Sequence, residues 1–247
     1  MENTKFNIAV LIDGDNAQPK LIKEILEEVS KYGKATIRRI YGDWTQSQMN
    51  GWKDIINQYS ISPIQKFAYT TGKNSTDSSL IIDAMDILHG KNAEGFCIVS
   101  SDSDYTGLAK RIREEGLFVM GIGQRKTPSA FVQSCEIFTF SENLVAEPQV
   151  IPIVKKKTNT KEIATKETDS TPKINLSIID KAFEISTNEE DEAYISNIGT
   201  NIRKIDPSFD SRTYGFRNLT KLFESIGKYK VVKNEVNGLN HPLVRLK

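Results

Sequence analysis

Histidine and cysteine are almost missing from this chain. His89 and His241 are its only imidazoles, and Cys97 and Cys135 its only thiols. Two cysteines are too few for a disulfide scaffold or a thiolate zinc site, and both lie in apolar contexts that suit reduced core residues. Two histidines far apart in sequence give little support to a Ser-His-Asp nucleophile. A surplus of one charge is also missing. Lys and Arg number 33 and Asp and Glu 32, so no overall field selects nucleic acid or membrane as a partner. No apolar run approaches the length of a membrane span. The start, Met1-Glu-Asn-Thr-Lys5, lacks the charged-then-apolar order of a signal peptide, so the expected location is cytoplasmic. With 38% hydrophobic and 26% charged residues the composition is that of a globular protein, and 247 residues suit one large domain or two ordinary ones.

What is present is a set of aspartates at telling places. Phe96 to Val99 is a short apolar run behind Gly95, which suits a strand buried on both faces. Ser100 and Ser101 end it, and Asp102 and Asp104 follow. Tyr105, Leu108, Ala109 and Ile112 then recur at helical spacing. The order is strand, acidic loop, helix. In open α/β sheets such loops, at the carboxyl ends of strands, hold the ligand site. A plainer account also exists: Asp102 or Ser103 N-caps the helix and Asp104 complements its dipole.

The same alternation runs through residues 1–145. Phe6 to Asp13 reads as a strand ending in a carboxylate, with Gly14-Asp15-Asn16 as its turn. Pro19 starts a helix through Leu21, Ile22, Ile25, Leu26 and Val29, with Gly33 as its terminator. Lys34 to Tyr41 is a second strand, Trp44 to Tyr59 a helix, and Ile61 to Tyr69 a third strand. After the polar stretch Thr71 to Thr76, Asp77 to His89 forms a helix with Asp77 on the sheet-facing side, one turn before Ile81. Beyond the acidic loop, Leu117 to Ile122 is a strand, Ser129 to Ser134 a short helix and Glu136 to Phe140 a last strand. Strands alternating with helices predict an α/β fold with a parallel sheet covered on both faces.

Residues 146–173 hold Lys155-Lys-Lys157, several threonines and three of the eight prolines, with no sustained period; they read as a flexible linker. From 174 the pattern is helical again. Leu176, Ile179, Phe183 and Ile185 suggest one helix, and Tyr194, Ile195, Ile198 and Ile202 a second. Phe216, Leu219, Leu222, Phe223 and Ile226 suggest a third. Tyr229 to Val232 and Leu243 to Leu246 alternate like a hairpin around Asn237-Gly238. Three helices and a hairpin make a small winged-helix domain over 174–247.

In a parallel sheet the carboxyl ends of the strands share one edge. Asp13, Asp102 and Asp104 converge there, and Asp77 can reach it from its own loop. Each aspartate alone is explained by capping or solvation, and Asp15 and Asp83 read as solvated; the joint occurrence at strand ends is not so explained. Four carboxylates without histidine or cysteine suit an oxygen-loving cation, Mg²⁺ or Mn²⁺, and so the cutting of a phosphodiester.

Three stretches carry a resemblance: Leu11-Ile-Asp-Gly-Asp-Asn16, Lys73-Asn-Ser-Thr-Asp77 with Asp83 beyond it, and Ser100-Ser-Asp-Ser-Asp-Tyr105. Together they resemble the NYN domain, in the LabA-like branch of the PIN-like nucleases, over about residues 5–145. The resemblance implies a Rossmann-like PIN fold, a divalent-metal site and ribonuclease activity on RNA. By motif, Asp13, Asp77, Asp102 and Asp104 take the metal and catalytic roles. Asn16 orients a carboxylate or the scissile phosphate, and Lys73 touches phosphate. At the other end, Pro207-Ser-Phe-Asp-Ser-Arg-Thr-Tyr-Gly-Phe216 with Leu219, Leu222 and Phe223 resembles an OST-HTH (LOTUS) domain. That family is associated with RNA binding and, in some members, with protein partners. Arg212, Arg217, Lys221, Lys228, Lys230 and Lys233, against Glu224 alone, predict a basic face there, although 174–247 as a whole holds 11 basic and 10 acidic residues.

Other readings fare worse. Asp13-Gly-Asp15 is similar to the Asp-x-Asp of haloacid dehalogenase phosphatases, but Asn16 stands where their Thr is expected. Gly14 stands alone where a dinucleotide fold needs Gly-x-Gly-x-x-Gly. A non-catalytic RNA-binding or regulatory protein that keeps the same fold is the main alternative.

Overall fold

A computed structural model describes residues 6–67, 75–145, 172–236 and 239–247. The chain divides into two compact units, Met1–Val145 and Ala146–Lys247. The linker expected over 146–173 lies outside the described residues as far as residue 171.

The first unit alternates strand and helix. Its strands and α-helices run β1 (Phe6–Asp13), α1 (Ile22–Ser30), β2 (Gly33–Gly42), α2 (Lys53–Gln58), β3 (Ser62–Gln65), α3 (Ser75–His89), β4 (Gly95–Val99), α4 (Thr106–Glu114), β5 (Phe118–Gly123), α5 (Ser129–Ser134), β6 (Ile137–Phe140) and α6 (Glu142–Val145). Short 3-10 helices precede α1 (Pro19–Leu21), α2 (Ser47–Trp52) and α4 (Ser103–Tyr105). The six strands form one sheet in the order β3-β2-β1-β4-β5-β6, every neighbouring pair parallel. The expected α/β fold with a parallel sheet is what the chain adopts.

Two apolar layers follow from the two-residue period of the strands. Ile8, Val10 and Ile12 of β1 and Cys97 and Val99 of β4 pack with α1 residues Ile22, Ile25 and Val29 and with Trp52. Ala9 and Leu11 of β1 and Phe96 and Ile98 of β4 pack on the opposite face with Leu80 and Ala84 of α3, Leu108 and Ile112 of α4, and Tyr105. Asp13 and Ser100 continue the second set of positions. They therefore emerge on the side of the sheet that carries α3 and α4. β1 and β4 are also the adjacent strands from which the chain winds outward in opposite directions, the point at which open α/β sheets leave a crevice at the strand ends.

Some local expectations are corrected. Gly33 does not terminate α1, whose C-cap is Lys31. It opens β2 beside Phe6, where a Cβ would collide with the Phe6 carbonyl, so the glycine answers to strand contact. The stretch from Trp44 to Tyr59 is a short 3-10 helix followed by a six-residue α-helix rather than one long helix. β3 is four residues long, and 68–74 lie outside the described residues.

The second unit runs α7 (Leu176–Ser186), β7 (Glu192–Tyr194), α8 (Ile195–Ile205), a 3-10 turn (Ser211–Tyr214), α9 (Leu219–Ser225), β8 (Tyr229–Val232), β9 (Glu235–Val236), β10 (Leu239–Asn240) and β11 (Leu243–Leu246). Asn175 and Asn218 cap α7 and α9 by accepting from the amides of Ser177 and Lys221. Ile179, Phe183, Ile198, Ile202, Leu222, Phe223, Tyr229 and Val244 form its core. β11 lies between β7 and β8 and is antiparallel to both. β9 and β10 pair antiparallel, while Asn237 and Gly238 lie outside the described residues. Two expectations fail here. Tyr194 belongs to strand β7, held by pairing with Leu243, and not to the helix that follows. Leu176 and Ile185 are exposed rather than part of the apolar side of α7. Among the described residues no helix is long and apolar enough to cross a membrane.

Candidate functional site

Asp13 closes β1 and is completely buried. Its carboxylate is gripped by donors. Asn16 Nδ2 donates to Oδ2 at 2.7 Å, Ser100 Oγ at 2.9 Å and Tyr105 Oη at 3.3 Å, while the Asp15 amide donates to Oδ1 at 3.1 Å. Burial pushes the Asp13 pKa up, and the bonds from Asn16, Ser100 and the Asp15 amide pull against that rise. Ser100 can reach Asp13 because β1 and β4 run in parallel register, with Ile12 opposite Val99.

The acidic loop folds back on itself. The Asp102 amide donates to Ser100 Oγ (3.1 Å), and the Asp104 amide donates to Asp102 Oδ1 (3.0 Å). Asp102 is thus the N-cap of the 3-10 turn that opens α4, as the capping account expects. It also belongs to a cluster. Asp77, Asp102 and Asp104 each offer a carboxylate oxygen, all within 4.8 Å of one another, and they are the one such group of metal-ligating side chains among the described residues. Asp77 enters from the first turn of α3. Tyr105 Oη donates to Asp77 Oδ1 at 2.7 Å, so one buried phenol lies between Asp77 and Asp13.

The electrostatics are those of a crowded anion. Burial raises the Asp77 pKa; the bond from Tyr105 lowers it, and the charges of Asp13, Asp102 and Asp104 raise it further. Burial, the Asp13 charge and bonding to Asp77 drive the Tyr105 phenol far above its ordinary value, so it stays a donor. Two unit charges at this spacing repel by about 1 kcal/mol in water and by several times that at the lower effective dielectric of a half-buried site. A hard divalent cation removes that repulsion. The donor set fits one: three carboxylate oxygens with no nitrogen or sulfur among them.

The sequence-predicted residues are distributed as follows. Asp77, Asp102 and Asp104 come together. Asp13 lies directly behind them but outside the three-residue group, with its oxygens already accepting bonds. Asn16 bonds the Asp13 carboxylate. Lys73 lies outside the described residues. Asp83, expected in solvent, is instead bound by the Arg39 guanidinium and the Tyr41 hydroxyl, which fastens α3 to β2. Asp15 accepts from Gln48 Nε2. Two contributors escaped the sequence reading. Tyr105 and Ser100 bound the motif that ends in Tyr105, but the sequence assigns neither a chemical role; their place beside Asp102 is the available signal. Asp43, at the end of β2 on the same edge, stays apart. Bonds from Thr45, Gln65 and Gln46 occupy its carboxylate and hold its pKa down at about 2.

In the second unit the basic face is partly neutralised from within. Arg212 pairs with Asp210, Lys221 with Glu224 and Lys228 with Asp180. Arg217, Lys230 and Lys233 enter no ion pair among the described residues.

Comparison with known proteins gives the chain its relatives. No curated protein sequence matches it. Among solved structures, a protein of unknown function from Vibrio parahaemolyticus is similar over 57% of this chain and 95% of its own, at 17% identity and a TM-score of 0.48. An uncharacterized protein from Nitrosomonas europaea is similar over 38% of this chain and 92% of its own, at 23% identity and a TM-score of 0.30. The profile of the OST-HTH/LOTUS domain matches residues 175–241, and that of the NYN domain matches residues 7–142, more than half of the chain. The chain belongs to the NYN-domain family and carries an OST-HTH/LOTUS domain behind its NYN domain.

Proposed function

We propose that the NYN domain is a divalent-metal-dependent ribonuclease that hydrolyses RNA phosphodiester bonds, and that the OST-HTH/LOTUS domain binds the RNA. The observation that carries this reading is the convergence of Asp77, Asp102 and Asp104 at the switch point of the sheet, in front of buried Asp13. Asp77, Asp102 and Asp104 would hold Mg²⁺ or Mn²⁺. When bound, that cation polarises the phosphate and makes water acidic enough to attack near neutral pH.

The rest is the work of the chain. Asp102 is held by its bond to the Asp104 amide and by the anchoring of its own amide to Ser100, so its carboxylate is fixed in the cluster without a search through rotamers. Tyr105 keeps its proton and donates a hydrogen bond to Asp77, which fixes that carboxylate as an acceptor. Asp13, with its charge stabilised by Asn16, Ser100 and the Asp15 amide, adds negative potential behind the cluster and favours a cation in front of it. A carboxylate of the cluster is the group placed to take a proton from attacking water. In the second domain Arg217, Lys230 and Lys233 are free to meet phosphates, a contact that positions RNA without reading its bases.

The test is incubation of the full chain with labelled single- and double-stranded RNA in Mg²⁺, Mn²⁺ or EDTA. Cleavage that needs metal and disappears in Asp102→Asn is the expected result. RNA that is bound but left intact under every metal condition makes the protein a non-catalytic RNA binder instead.

A further inference from the structure

The strand next to the acidic loop brings a second charged feature to the same edge. β4 and β5 pair in register, with Val99 opposite Ile122, and the pairing continues past the end of β4 through Ser100 N to Ile122 O at 3.0 Å. Gly123 allows the chains to stay that close, since a Cβ there would collide with the Ser100 carbonyl. The Gln124 amide then donates to Ser101 Oγ at 2.8 Å. The loop after β5 is therefore in direct contact with the residue before Asp102.

That loop is a fixed turn. Thr127 N and Thr127 Oγ1 both donate to the Gln124 carbonyl, at 2.9 and 2.6 Å, and Thr127 is buried. Both oxygens of Glu142 accept from the Arg125 amide, at 3.0 and 3.2 Å. Between these anchors the side chains of Arg125 and Lys126 are exposed. Neither enters an ion pair or hydrogen bond among the described residues. Glu142, a carboxylate that touches the turn, is used on backbone rather than on the guanidinium. Among the described loops leaving the carboxyl ends of the six strands, the only other cation is Lys66, after β3 on the far side of β1. Two unused cations on a rigid turn, one strand away from a carboxylate cluster, have no evident part in stability. They suit a multiply charged anion that already has one phosphate at the cluster.

We infer that the turn Gln124–Thr127 binds the phosphate adjacent to the scissile one, with Arg125 and Lys126 supplying the charge. This rests on the ribonuclease reading above and makes it narrower. A small diester has a single phosphate and gains nothing from this turn, whereas an RNA chain crossing the edge from β1 to β5 meets both features. The turn thus favours an internal bond of a polynucleotide. Both contacts are to phosphate, so they add affinity without sequence preference.

The decisive measurement is binding of a fluorescein-labelled single-stranded RNA 20-mer to the full chain in EDTA, by anisotropy over a range of salt. Against the wild type, Arg125→Ala/Lys126→Ala should bind at least about fivefold more weakly at low salt. Its slope of log affinity on log salt should be shallower by about 0.7, the value for one phosphate no longer neutralised on a single strand. Arg125→Lys/Lys126→Arg should keep the slope, which separates charge from shape. With Mn²⁺, the double alanine variant should raise KM for RNA while hydrolysing bis(p-nitrophenyl) phosphate at the wild-type rate. An unchanged salt slope overturns the inference whatever the affinity. Equal losses on RNA and on the small diester overturn it too, since they mean damage to the cluster itself. Wild-type protein that binds RNA but never cuts it would refute hydrolysis and leave this binding site standing. Both replaced side chains are exposed and the bonds that fix the turn come from other groups, so the variants are expected to melt with the wild type.

Discussion

The OST-HTH/LOTUS domain and the carboxyl edge of the NYN sheet treat their carboxylates in opposite ways. In the OST-HTH/LOTUS domain acids face cations: Asp180 meets Lys228, Glu192 meets Arg245, Asp210 meets Arg212 and Glu224 meets Lys221. Elsewhere in the NYN domain the same habit holds, with Asp83 on Arg39 and Glu28 on Lys31. At the carboxyl edge of its sheet it breaks. Asp77, Asp102 and Asp104 face one another, with buried Asp13 behind them. Paired acids compensate themselves and mark a surface that serves the fold. Acids gathered against their own repulsion lower stability until something positive arrives, which is the arrangement the proposed metal site would use.

The comparison breaks most readily at Asp102. Asp102→Asn keeps an oxygen for the Asp104 amide, so the cap survives while one charge leaves the cluster. RNA cleavage should fall by at least about 100-fold, the upper end of what loss of a partner one bond further from a metal costs. Retained cleavage would mean that the cluster does not act. Next in size is stabilisation by metal. Mg²⁺ at 100 times its Kd should stabilise the NYN domain by about 2.7 kcal/mol. Tryptophan fluorescence during denaturation reads that domain alone, because Trp44 and Trp52 are the only tryptophans and both lie in it. Amide exchange in α7 and α9 should not move. An equal shift in both domains would show general salt effects in place of a site.

A sharper version concerns Tyr105. Tyr105→Phe keeps the ring in the core and removes the donor shared by Asp77 and Asp13. Metal affinity, measured by calorimetry, should weaken by about tenfold while the melting temperature without metal changes little. Unaltered affinity would leave the phenol a purely structural group. The smallest effect is a pH dependence in the second domain. Burial works to raise the Asp180 pKa, but bonds from Lys228 and Tyr229 outweigh it and the value is lowered. A carboxylate held below its unfolded value contributes stability that is present above that value and is lost as pH falls through the folded one. The domain should therefore lose stability below about pH 4. Asp180→Asn should flatten that loss by no more than about 0.5 kcal/mol, because the pair is partly solvent-exposed. Acid denaturation followed by amide exchange in α7 checks it, and an unchanged acid limb would show that the Lys228 pair is screened out.

Some of this was legible residue by residue. The apolar runs at Phe6 to Ile12 and Phe96 to Val99 announced buried strands, and the aspartates just past them announced the carboxylate cluster. Other features were not. Gly33 carries the same letter whether it ends a helix or lies against another strand. Tyr194 has the spacing of a helix but the pairing of a strand, because Leu243, far along the chain, supplies its partner. Asp83 lacks any local signal of Arg39 and Tyr41, which come from an element more than forty residues earlier.

Taken alone, the order of residues determined the alternation of strand and helix, the two domains and the four aspartates that end up at one sheet edge, since hydrophobic period and turn chemistry are local. Tertiary structure decided how those aspartates divide. Asp13 became a buried, fully bonded charge and Asp77, Asp102 and Asp104 an open cluster, because strand register sets which face a side chain takes and which donors surround it. It also decided that Tyr105 lies between them and that Arg125 and Lys126 stand one strand away. Such distances depend on which strands become neighbours, and no stretch of the chain contains that information by itself.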